Sequence, residues 1–138
     1  MTSSPELEQW LQDFIAKRNG AAGTVHLFEN GGLRLAGVVN IPPPVQQAVA
    51  WVPSGKGMAG LALERKEPIQ TCNLKEDDSG NVRPGAKAVN ARAAVALPVS
   101  DGASGVRAVV GIAFMHEHEF TKAELDDLTA AASTVPRS

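Results

Sequence analysis

The stretch Ala93–His116, AAVALPVSDGASGVRAVVGIAFMH, decides how the rest of the chain is read. Two runs rich in Val, Ala and Ile flank the turn residues SDGASG, which is the pattern of a β-hairpin. Side chains alternate across a strand, so Val95, Leu97, Val99, Val110, Ile112 and Phe114 fall on one face. Ala94, Ala96, Pro98, Gly111 and Ala113 fall on the other. With both faces apolar, the sheet is expected to be covered on each side. The second face carries side chains so small that something must approach it closely: either a helix backbone packs there, or a cavity remains.

Downstream, FTKAELDDLTAAASTV predicts a helix with Thr121 as cap and Glu124 three residues later, a capping box, and an apolar stripe of Leu125, Leu128, Ala132 and Val135. At the other end, SPELEQWLQDFIAKRNG predicts an amphipathic helix through Leu7, Trp10, Leu11, Phe14 and Ile15. Ser4 is its expected cap, Pro5 its first position, and Gly20 lies beyond its end. The following AAGTVHLFENGGLRLAGVVNI gives two antiparallel strands joined at Asn30-Gly31-Gly32. Pro42, Pro43 and Pro44 end the second strand, and VQQAVAW is expected as a short helix started by Pro44. A glycine-rich turn then leads into a helix from Gly57 to Lys66 and a short strand at PIQTCN. The charged, turn-rich KEDDSGNVRPGAKAVNAR is expected to be a long loop with at most one helical turn.

The length of 138 residues fits one domain, 1–138, with enough surface to bury a core. Thirteen basic and fifteen acidic residues leave a net charge of −2, so no field favours nucleic acid or a membrane surface. No apolar run approaches membrane-spanning length, and the N-terminus lacks a signal core, so a cytoplasmic protein is expected. The single cysteine, Cys72, excludes an intramolecular disulfide and a multi-cysteine metal site.

Gly55-Lys56-Gly57 is too short for a phosphate loop and lacks the following Ser or Thr that would hold magnesium. Gly55, Gly57 and Gly60 are therefore expected to serve the turn and close packing. Cys72 has no recognisable activating partner in the sequence and reads as a small buried residue. His116 and His118, with His26 on a neighbouring strand, are a conceivable zinc set. A solvated turn before the last helix is the plainer reading of H-x-H.

The order of elements, with GKGMAGLALERKEPI and the closing hairpin-helix passage ARAAVALPVSDGASGVRAVVGIAFMHEHEFTKAELDDL, resembles the GAF domain, the small sensory module of phytochromes, phosphodiesterases and bacterial regulators. The resemblance covers nearly the whole chain. It implies an α+β fold of α/β/α layers, GAF-like or profilin-like, in which a central antiparallel sheet carries the terminal helices on one face. A ligand pocket under short helices and loops would occupy the other. That places Ala94, Ala96, Gly111 and Ala113 at a pocket floor, with Trp51, Met58, Asn90 and Arg92 as walls and polar contacts. The expected function is a stand-alone, non-catalytic sensory or signal-transduction module that binds an unidentified small molecule. Its output would pass through a signalling partner or through a homodimer formed by the terminal helices. No residue pattern names a cofactor. The alternative is a thiol-dependent redox enzyme using Cys72, like the family's methionine sulfoxide reductases, although those relay oxidation through several cysteines.

Overall fold

Helix α1, Pro5–Ala16, buries Leu7, Leu11, Phe14 and Ile15 at three- and four-residue spacing and stops where the Gly20 N–H closes back on the Ile15 carbonyl at 3.0 Å. The computed structural model describes residues 5–71, 92–116 and 118–136. The expected cap Ser4, Cys72, Asn90 and residues 75–91 of the expected long loop lie outside them.

The strands are β1 (Ala22–Glu29), β2 (Gly32–Val39), β3 (Trp51–Pro53), β4 (Ile69–Thr71), β5 (Ala93–Ser100) and β6 (Val106–Phe114). They form one six-stranded sheet in the order β3-β2-β1-β6-β5-β4, with every pairing antiparallel. The β1–β2 turn is a two-residue loop: Asn30 and Gly31 both have positive φ, at 51° and 79°, while Gly32 already pairs with Glu29. Between Val25 and His26 the register shifts, leaving Ala36 of β2 as an extra residue in a β-bulge.

The two faces of β5 and β6 divide as their alternation requires. Val95, Leu97, Val99, Val110, Ile112 and Phe114 join the apolar side chains of α1 and of the last helix, α4 (Lys122–Ala132), in one core. Trp10 stacks on Phe14 with ring centroids 5.0 Å apart and donates from Nε1 to Thr134 Oγ1 at 3.0 Å, which ties the two ends of the chain together. The capping box of α4 is complete: Thr121 Oγ1 accepts from the Glu124 N–H, and Glu124 Oε1 accepts from the Thr121 N–H. That backbone donor, seconded by His118 at 2.8 Å from Oε2, holds the Glu124 carboxyl below its ordinary range.

The opposite face carries a second, smaller core built from Leu33, Val52, Ala96 and Val109 of the sheet and Leu61, Ala62 and Leu63 of α3 (Gly57–Arg65). Gly60 lets α3 sit tightly there, since a Cβ at that position would lie 2.5 Å from the Pro53 carbonyl oxygen. A short α2, Pro43–Ala48, precedes β3 on this side of the sheet. The run VQQAVAW is thus not wholly helical, because Trp51 opens β3, where it pairs with Arg34.

Candidate functional site

The small-residue face is not closed by helix packing along its full length. Between it and the α2–β3–α3 layer lies a cavity of about 140 Å³. Its floor is Ala94 and Ala96 of β5, Gly111 and Ala113 of β6, and Thr24 and His26 of β1. Ile41, Val45, Val49, Val52, Met58 and Ala59 cover it. β1 and β6 bring their residues together through antiparallel register: Thr24 stands opposite Gly111, and a Cβ on Gly111 would come within 2.8 Å of the Thr24 hydroxyl. Glycine there keeps the floor low and leaves that hydroxyl in place.

Polar groups are few. Among the described lining residues they are Thr24, His26 and Lys56, and none is a carboxylate. His26 is 2% exposed, and its Nε2 lies 2.9 Å from the Val49 carbonyl oxygen. Next along the chain, the Ala50 carbonyl accepts from the Leu35 N–H at 2.9 Å. A β1 side chain and the β2 backbone therefore fix two successive carbonyls at the α2–β3 corner that roofs the cavity. Nδ1 of His26 is buried without a hydrogen-bond partner among the described residues. Burial pushes the His26 pKa below its ordinary value, against the smaller opposing effect of the Val49 hydrogen bond.

Five of the eight residues expected at the pocket line this cavity: Met58, Ala94, Ala96, Gly111 and Ala113. Trp51 does not, because strand alternation turns Val52 inward and leaves the Trp51 ring over Gly32 on the other side of the edge strand, 44% exposed. Arg92 stands just ahead of β5, exposed, with its backbone N–H on the Phe114 carbonyl at 2.7 Å, and does not line the cavity. Asn90 is outside the described residues.

The conceivable zinc set is not assembled. His26 pairs with Val109 near the start of β6, whereas His116 and His118 follow its end. Among the described residues no group of three or more His, Cys, Asp or Glu is placed to hold a metal ion. His118 instead meets Glu124 and packs edge-on against Phe120. Sequence reasoning missed Thr24 and His26 as floor residues, although the alternation of Thr24-Val25-His26 puts both on one face and Val25 in the opposite core.

The GAF domain profile matches residues 7–135 of the chain. Among curated proteins no sequence matches it. Solved structures share the fold. The GAF domain of the Acinetobacter phosphoenolpyruvate-protein phosphotransferase superposes with a TM-score of 0.70 at 19% identity, over 96% of this chain and 83% of that one. The GAF domain/HD domain protein of Geobacter sulfurreducens gives 0.68 at 14% identity, over 94% and 89%. The free methionine-R-sulfoxide reductase of Neisseria meningitidis, solved with its substrate, gives 0.72 at 16% identity, over 91% and 71%.

Proposed function

The chain belongs to the GAF domain family, and from that premise we propose that it is a sensory module that binds a small, mostly apolar molecule between its sheet and the α2–α3 layer. The observation that carries this reading is the cavity itself: a partly open apolar hollow with few polar groups, the usual composition of a small-molecule site. No nucleophile and base are paired among its described lining residues, which favours binding over catalysis. The signal passes through a cytoplasmic protein partner or through pairing of two copies by α1 and α4.

Thermal denaturation with toluene as probe tests the reading. A ligand that binds only the folded state stabilises it by about 1.4 kcal/mol at tenfold excess over its Kd. The melting temperature of the wild type should rise with toluene, and Ala113→Leu, which fills the floor, should remove the rise while remaining folded. An equal rise in both proteins would place the binding elsewhere.

A second reading is favoured by one observation, the fold shared with the Neisseria reductase: Cys72 would serve an external thiol in reducing a sulfoxide. Titrating the thiol against pH separates the two, because catalysis needs a thiolate at neutral pH and hence a depressed pKa.

A further inference from the structure

We propose that His26 Nδ1 is the recognition atom of the cavity, and that the molecule bound there is a compact, neutral ring carrying one O–H or N–H donor, of which phenol is the simplest form. The proposal rests on the cavity-binding reading and adds the ligand's chemistry to it. A carbonyl oxygen only accepts hydrogen bonds, so the 2.9 Å contact with Val49 places the ring proton on Nε2. A neutral imidazole has one proton, and Nδ1 is then left with a bare lone pair. That atom is buried, has no partner among the described residues, and belongs to a side chain that lines the cavity. An unpaired polar atom in such a place costs free energy that a donor on the ligand would recover.

The surroundings set the rest of the ligand. The cavity, about 140 Å³, is close to the size that holds one benzene ring in an apolar core. Its lining is mostly glycine, alanine, valine, isoleucine and methionine, with Thr24, His26 and Lys56 as its polar members among the described residues, so a large polar body has little to pair with. The β-bulge of β2 lies opposite the Val25–His26 step, and bulges are over-represented beside functional sites.

Phenol and toluene are nearly the same size and differ in the donor. Calorimetric titration of both into the wild type and into His26→Leu, whose side chain fills similar space and carries no hydrogen-bond acceptor, isolates that atom. The preference for phenol relative to toluene should fall about tenfold in the variant, the worth of one buried hydrogen bond, while toluene affinity stays within about threefold. An unchanged preference, with toluene still bound, would overturn the role of His26 and leave the cavity reading standing. Failure of both probes to bind the wild type would overturn both. Should the variant fail to fold, the wild-type imidazole ¹⁵N resonances decide: Nδ1 should resonate as an unprotonated nitrogen and shift on phenol but not on toluene. A protonated Nδ1, or equal shifts with both probes, would contradict the proposal.

Discussion

Burial holds the His26 imidazole below its ordinary pKa near 6.5, so the unfolded chain takes up this proton before the folded one does. The stability linked to His26 is therefore complete above that value and is lost as pH falls below it, levelling off once the folded ring is protonated too. Each unit of depression is worth about 1.4 kcal/mol. Lys56 is the other titratable group among the described residues lining the cavity. Urea denaturation at pH 8 and pH 5.5 should show a steeper loss in the wild type than in His26→Gln; equal losses would mean the ring is solvated. The lone cysteine gives a second prediction. Cys72→Ser should leave toluene binding unchanged and alter stability only modestly, and loss of a thiol-dependent turnover in the folded variant would move the reductase reading to the front.

The helices and hairpins show which features a sequence declares. Thr121 and Glu124 announced the start of α4 because a capping box is a local arrangement of two side chains and two N–H groups. Thr121→Ala should cost about 1 kcal/mol, read as a melting temperature a few degrees lower. Alternation along β5 and β6 likewise separated the α1–α4 core from the small-residue face. β3 stayed hidden because three residues ending in proline carry no period, and only pairing with Gly32–Arg34 makes them a strand. Tertiary bonds were equally illegible: Arg107 donates to the Ser133 and Val135 carbonyls at 3.1 and 2.8 Å, holding the chain beyond α4 against β6. The contact of His26 with Val49 is of the same kind. The sequence put His26 on a strand, but only the fold brings the α2–β3 corner over it.

At the scale of the whole molecule, the sheet separates the larger core, where α1 and α4 pack, from the smaller one, where α2 and α3 leave the apolar cavity. The outward side of the α1–α4 half is polar and net acidic: Glu6, Gln9, Gln12 and Asp13 of α1 and Asp126 and Asp127 of α4 are exposed, with Lys122 paired to Asp126 at 3.0 Å. A two-fold pairing through these helices would bring like charges together, so the proposed dimer should be weak and strengthen with salt. Sedimentation that finds a monomer at high micromolar concentration at every ionic strength would remove it. No helix among the described residues is long and apolar enough to cross a membrane. The claim on which the rest depends is that the cavity admits a small apolar molecule. A two-dimensional amide NMR titration of the folded protein with toluene tests it most directly. Saturable shifts centred on Thr24, His26, Val49, Met58, Ala96 and Gly111 should appear and should vanish in Ala113→Leu; a wild type that shows none, or whose shifts gather on α1 and α4 instead, would contradict binding in the cavity.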